Sequence, residues 1–476
     1  MAPHTKRIAR RFGAGSDTGP EIVSRRVLSF AMSQSGLRAV RAWCVLLTWS
    51  GTATAQQDVP QSPTEIHEHV AVGAPLLTPT RDASGSGWLP PATPMFGLHE
   101  PWRGWDLRLD GVVVGQLVVE PGERHRTGGA SARQVVGLNW GMAMARRRLA
   151  GGRFGVRTML SAEPWTVSRC GTIGFLNTGE VCNGDSVHDR QPPHDLVMEL
   201  AADYERRVRG QWRWQVYGGL AGEPALGPPG YPHRTSARMN PIGPLTHHWL
   251  DSTHVTFGLV TAGLHNQRWK MEASAFNGRA PDESRADVDL GRFDSVAARL
   301  SFLPTTRLAL QLSAGRLRDA LTDFPAQSQE PFTRVTASAI YHRPAGSERV
   351  WATTVAVGAN DAREEVAGGV LDATTFGALV ESSLKRARST IFGRAELGGM
   401  PAHHLHAHEN PTLVVPIGKV QVGYVRQMSP WRSVALGVGG TVALSVLPLA
   451  LSPRYGGRTA PSFALFLNLS AAEHKM

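Results

Sequence analysis

The 476-residue chain lacks the signatures of a nucleotide enzyme or a nucleic-acid binder. No glycine-rich phosphate loop follows a strand and opens a helix, and no nucleophile-elbow sequence is present. No Lys/Arg stripe or base-stacking motif stands out. The formal charge of +11 is partly a leader effect. Residues 1–55 hold eight Lys/Arg and two Asp/Glu, which is +6, and leave +5 for the rest. Cysteine is scarce: of three, Cys44 lies in the leader, so Cys170 and Cys182 form an even pair suited to an oxidising compartment. Their spacing is not that of zinc ligands, and it reads as a disulfide pinning a loop. Mean hydropathy is −0.19, which excludes a helical membrane bundle. What is abundant is glycine (51) and tryptophan (13), which suit strands and membrane-interface anchoring.

Residues 433–452 carry no charge over a length that could span a bilayer as a helix. Their order argues against it. Val434, Leu436, Val438, Val442, Leu444 and Val446 alternate with Ala435, Gly437, Gly439, Thr441, Ala443 and Ser445. That period of two puts the bulk on one face of a strand, and three glycines with Pro448 disfavour a helix. The small face predicts either that a loop or the N-terminal segment packs the interior there, or that Gly437, Gly439 and Gly440 let another backbone lie close, with the N-terminal segment a candidate plug against this wall.

The same period recurs from Trp105 onward. Apolar rows read as lipid-facing include Val136, Leu138, Trp140, Met142 and Met144; Phe154, Val156, Thr158 and Leu160; and Val255, Phe257 and Leu259. Later examples are Val296, Leu300 and Phe302, and Phe463, Leu465, Leu467 and Leu469. The alternate positions are often charged and read as facing a lumen: Arg157, Glu199, Asp203, Arg213, Lys270, Glu272, Arg299, Arg307, Arg334, Arg394 and Glu396.

Sixteen strands are expected near 104–119, 132–148, 152–163, 195–207, 210–221, 253–264, 267–277 and 292–303, then 305–316, 332–343, 349–359, 373–385, 388–398, 412–427, 431–446 and 460–469. Links after even-numbered strands are short, such as Arg209-Gly210 and Arg386-Ala387, and links after odd-numbered ones are long, above all 164–194 and 222–252. A sandwich with Greek-key crossovers breaks such parity, whereas a transmembrane barrel with tight periplasmic turns and long extracellular loops produces it.

On this pattern the chain resembles the Gram-negative outer-membrane β-barrel class, porin-like in size. The resemblance implies an all-β, closed, up-and-down antiparallel barrel over 104–470. The terminal strand 461–469 is similar to the one that barrel-assembly machinery recognises, although a tail, 471–476, follows it. The segments DRQPPHDLVMEL, GEPALGPPGYPHR and HHWLDSTH look like those of uncharacterised barrel proteins.

Ahead of the barrel, residues 1–55 read as a leader. Arg38 and Arg41, the apolar run 42–49 and the A-x-A site ending at Ala55 form a secretory signal, with Met32 as a candidate start. Residues 56–103, rich in Pro, Gly, Ser and Thr, read as a flexible periplasmic segment.

Three clusters carry candidate chemistry. Asp189, Arg190, His194 and Asp195, with His247, His248, Asp251 and His254, stand where long loops enter strands and are expected at the extracellular rim. They read as a selecting constriction or as a network holding the loops. Ser252 with Asp251 and His248 or His254 is the sole outline of a hydrolase. His403, His404, His406 and His408 in one loop suit weak Cu or Zn binding.

The expected function is an outer-membrane channel for small hydrophilic solutes, with a metal-related protein as the alternative. No enzymatic activity, nucleic acid or tightly held cofactor is expected. The expected partners are outer-membrane lipid, the barrel-assembly machinery, a solute or metal ion, and further copies of the chain.

Overall fold

The computed structural model describes residues 83–120, 133–318, 331–346, 348–366, 369–407, 411–431 and 433–472. The leader with its export signal, and His408, lie outside the described residues. The strands are β1 (Leu98–Trp102), β2 (Trp105–Val119), β3 (Arg133–Leu149), β4 (Gly152–Leu160), β5 (Thr172–Cys182), β6 (Asp185–Gln191), β7 (Val197–Arg209), β8 (Trp212–Gly222), β9 (Thr256–His265) and β10 (Trp269–Phe276). They continue as β11 (Ser295–Thr305), β12 (Leu308–Leu317), β13 (Phe332–Ala345), β14 (Arg349–Val366), β15 (Gly369–Arg386), β16 (Ser389–Pro401), β17 (Val414–Gln427), β18 (Val434–Val446) and β19 (Thr459–Ala471).

Strands β2–β4 and β7–β19 pair antiparallel in chain order, and β19 returns to β2 with Phe463 opposite Val119 and Ser470 opposite Val112. The result is a closed barrel of 16 strands. Closure matters because an open edge in lipid leaves backbone N–H and C=O groups without partners. β1 folds back on the start of β2, and β5–β6 make a separate hairpin within the β4–β7 loop, where Cys170 and Cys182 are joined.

The expected strands are all present, with two corrections at their ends. The region 360–372, read as a loop, is a paired arm: β14 and β15 run on to Val366 opposite Gly369. The Thr374 hydroxyl donates to Asp361 along this arm at 2.7 Å. β9 begins only at Thr256, because His247–Leu250 forms a short helix and Ser252–His254 a 3-10 turn.

The outer wall carries the apolar belt. On β18, Val434, Val438, Val442, Leu444 and Val446 are exposed, and on β19 so are Phe463, Leu465, Leu467 and Leu469. Two rows are inverted relative to the reading from sequence. Val136, Trp140, Met142 and Met144 of β3 point inward, as do Phe257 and Leu259 at the start of β9. Period-two alternation cannot say which face meets lipid when the opposite face is merely small. Here Trp140, Met142, Met144 and Phe257 join Met239, Val255 and Phe466 in an apolar core inside the barrel.

That core exists because the lumen is filled. The segment read as a flexible linker over 56–103 is, from Ala83 onward, folded into the barrel. Gly97 N–H donates to Ala472 O at the periplasmic end, and Ala92 N–H to Thr306 O in a periplasmic turn. Trp88 and Leu89 pack on Leu303, Ala309 and Ile340. This plug lies against β4 and β10–β13 and not against the glycines of β18. What fills the space over Gly439 is the Phe466 ring, and over Gly437 the Asn468 side chain; Gly440 lies on the opposite face.

Candidate functional site: the filled lumen

The loop 223–255, between the fifth and sixth barrel strands, enters from the extracellular side and is anchored around the wall. Arg234, fully buried, donates from Nε to Glu381 Oε1 of β15 and from Nη1 to Asp251 Oδ2, each at 2.6 Å. Arg394 of β16 holds the second oxygen of Glu381 at 3.0 Å. Arg238 makes a two-point contact with Asp110 of β2 at 2.7 and 3.1 Å and lies over the Phe96 ring. Thr246 donates from its N–H and its hydroxyl to Glu396 Oε1 at 3.0 Å. Trp249 inserts into an apolar cluster with Leu250, Leu379 and Met400, and its indole N–H donates to Thr375 at 2.9 Å.

The plug and the loop meet at mid-lumen. Ser84 donates to Glu223, and Arg157 of β4 donates to the Ala83 and Gly85 carbonyls at 3.1 and 2.6 Å. Arg299 of β11 joins both segments. It donates to Ser86 Oγ at 2.9 Å and to Gly227 O at 3.3 Å while pairing with Glu272 at 3.2 Å. Lys270 adds the Ser86 carbonyl at 2.5 Å. Burial pushes the Glu223 carboxyl up to about 8 despite the pull of Arg299 and the Ser84 hydroxyl.

Most lumen-facing charges read from the sequence do line the interior: Arg157, Glu199, Asp203, Lys270, Glu272, Arg299, Arg334, Arg394 and Glu396 are all buried there. Arg334 is 0% exposed and Lys270 1%, values foreign to the wall of an open aqueous pore. Arg213 lies half-exposed near the periplasmic end, 4.0 Å from Glu205. Arg307 is a correction: it sits exposed in the tight β11–β12 turn, where alternation ends and side chains splay into solvent.

The rim residues do not form one ring. His194, His247 and His254 gather around Tyr231, with ring centroids 6.0–6.1 Å from it. Each imidazole is anchored through Nδ1: His194 to Glu163 at 3.0 Å, His247 to Asp251 Oδ1 at 2.8 Å and His254 to Asp251 O at 2.9 Å. Burial, with neighbouring His247 and His194, pushes the His254 imidazole well below its usual range and keeps it neutral. Burial alone would raise the Asp251 carboxyl, but Arg234 and His247 outweigh it and hold it low.

Asp189 and Arg190 lie apart, in β6. Asp189 accepts from the Tyr455 hydroxyl at 2.9 Å and the Leu176 N–H at 2.7 Å, and Arg190 donates to Gly171 O at 3.1 Å. Asp195 pairs with Arg285 at 3.5 Å, and His248 Nε2 meets Thr178 O at 2.6 Å. The hydrolase outline is not assembled, since Ser252 Oγ accepts from Arg334 at 2.8 Å and Asp251 serves Arg234 and His247.

The His-rich loop divides. His403 and His404 converge on Glu364 of the β14 arm, while His406, in a left-handed conformation, stacks on His188 at 4.0 Å. Sequence reading missed Glu163, Glu223, Arg234, Arg238, Glu364 and Glu381. Glu381 was within reach, since it continues the buried alternation of Thr375, Gly377 and Leu379 along β15. The loop residues had no period to reveal them.

Among the described residues, cavities of about 60 Å³ lie on two flanks of the loop. One is bordered by His247, His248, Ser252, Glu364 and His404, and the other by Asn139, Glu163, His194, Tyr231 and Asn468. Each has room for a few waters but not for a sugar-sized solute.

A closed 16-strand antiparallel barrel with an apolar outer belt and a charged interior is the architecture of a porin-like transmembrane β-barrel. No family model matches the chain, and no curated protein matches it. Solved structures of similar fold include the outer membrane channel DcaP of Acinetobacter baumannii, at 9% identity and a TM-score of 0.43, covering 79% of this chain and 100% of that one. The OmpF of Salmonella typhi in complex with daunomycin matches at 11% identity and a TM-score of 0.46, over 78% and 100% of the two chains. The anion-selective porin of Comamonas acidovorans matches at 10% identity and a TM-score of 0.41, over 77% and 99%. At such overlap nothing about what those channels pass transfers to this chain.

Proposed function

We propose that the protein is an outer-membrane channel for small hydrophilic solutes, closed in this conformation by the plug and the inward loop. The carrying observation is the buried charge network itself. Replacing buried ion pairs by well-packed apolar side chains is often neutral or stabilising, so a barrel serving only as a wall has no use for Arg234, Arg299, Arg334 and Lys270 in its centre. Those charges lose little when the loop withdraws, because water takes the place of each partner. A lumen that alternates between packed and wet therefore suits this lining.

In this reading Asp110, Glu381 and Glu396 are the wall docks of the loop, and His194, His247 and Asp251 hold its extracellular shoulder. Export by the N-terminal signal and insertion by the barrel-assembly machinery belong to the same proposal. Association of copies is supported by an apolar concavity on the outer wall. There Ala143, Ala145, Ala202 and Gly218 leave a recess between Leu109, Val156 and Leu220.

Planar bilayers containing the purified protein test the channel. Brief, stepwise conductance is expected from the wild type. A variant with 225–253 replaced by a short Gly/Ser linker is expected to give larger and longer openings. Silence from both proteins, with heat-modifiable gel mobility showing folded barrels, would overturn the proposal.

A further inference from the structure

We infer that Glu364, His403 and His404 form a binding site for a divalent first-row transition-metal ion, with Zn²⁺ the best fit, on the extracellular side of the barrel. The three residues come from two elements. Glu364 stands on the β14 arm that projects beyond the neighbouring strands. His403 and His404 lie in the 3-10 turn Ala402–Leu405, which directly follows β16. All three side chains are largely buried, at 11%, 8% and 10% exposure.

The distances suit an ion. His403 Nε2 is 2.9 Å and His404 Nε2 3.3 Å from the same oxygen, Glu364 Oε2. The three ligand atoms lie within 4.8 Å of one another. Tetrahedral ligands at the usual Zn–N and Zn–O lengths stand about 3.3 Å apart, so small side-chain adjustments complete the geometry. The two rings are nearly perpendicular, at 79°, which lets both nitrogens face one point without ring clash.

An outer partner orients one ligand. His403 Nδ1 is 3.1 Å from the Pro411 carbonyl, which can only accept, so Nδ1 carries the hydrogen. That leaves Nε2 as the nitrogen turned to the Glu364 carboxylate, and a carbonyl behind a metal-bound imidazole is the usual way its ligating nitrogen is set. Two imidazoles and one carboxylate favour zinc, copper or nickel over calcium or magnesium. The fourth position opens on the cavity of about 60 Å³ that Glu364 and His404 border, which has room for water or an anion.

The site is narrower than the four-histidine loop implied. His406 is excluded by its stacking on His188 and its Nε2 contact with Ser186 O at 3.1 Å. A bound ion would tie the β14 arm to the turn after β16 across β15, stiffening one side of the extracellular mouth. The inference is independent of whether solutes pass through the barrel.

The test is calorimetric titration of the folded, chelator-stripped full-length protein with Zn²⁺. One site per chain is expected, weakened at least about tenfold in His404→Ala and in Glu364→Gln and unchanged in His406→Ala. A second measurement needs no variant. Zn²⁺ should protect His403 and His404, but not His406, from diethylpyrocarbonate in the wild type, read by mass spectrometry. Equal Zn²⁺ affinity in the wild type and Glu364→Gln, or absence of protection at His403 and His404, would overturn the inference.

Discussion

Replacing Arg234 with methionine should loosen the inward loop without unfolding the barrel. The guanidinium is fully buried and holds Glu381 on the wall and Asp251 on the loop, each at 2.6 Å, with a further bond to Pro229 O at 3.1 Å. Removing one partner of a buried ion pair typically costs about 3–5 kcal/mol. Neither carboxylate is left wholly alone, since Glu381 keeps Arg394 at 3.0 Å and Asp251 keeps His247 at 2.8 Å. The lower end, about 3 kcal/mol, is therefore the expected loss. It corresponds to about a hundredfold rise in the undocked fraction of the loop. Open probability in planar bilayers reads that fraction, and trypsin cleavage within 223–255 reads it independently. Arg234→Lys should fall between wild type and Arg234→Met, because one ammonium cannot reproduce the planar fork that spans both carboxylates. A folded Arg234→Met barrel with wild-type open probability and protease resistance would refute the reasoning, since the ion pairs would then not hold the loop.

Two further outcomes follow from the same structure. Glu223 is held protonated to about 8 by burial, whereas its ordinary value is 4.5, so the folded state binds more protons than the unfolded one between those values. Docking of the plug on the loop is then unpenalised below about pH 4.5 and weakens progressively as pH rises towards 8. Conductance should increase over that interval, and Glu223→Gln should flatten the profile; an unchanged profile in the variant would count against the assignment. The second concerns close packing on β18. A Cβ on Gly439 would stand 2.4 Å from the Phe466 ring, whereas one on Gly115 meets nothing within 4 Å. Gly439→Val should therefore lower the temperature at which the folded band disappears on gels, while Gly115→Ala leaves it in place. Equal temperatures for both would show that the ring has another place to lie.

The architecture was legible in the chain because each strand carries its own evidence. Alternation at a period of two locates a strand from a handful of residues, and tight turns such as Arg386-Ala387 mark where it reverses. Closure into 16 strands follows from repeating that local rule, since lipid tolerates no open edge. The charged interior positions of β4, β10, β11 and β16 were readable for the same reason.

What only the tertiary structure decided is what fills the barrel. Trp140, Met142 and Met144 obey the strand period perfectly well on either face. Their inward orientation depends on Met239 and Val255, which come from a loop about a hundred residues away. The plug from Ala83 to Phe96 has no period at all, because it is held by single contacts from Arg157, Lys270, Arg299 and Thr306. The same holds for the ligand set of Glu364 with His403 and His404. Local alternation can specify a wall, but a lumen is built from long-range contacts, and those appear only when the wall has closed around them.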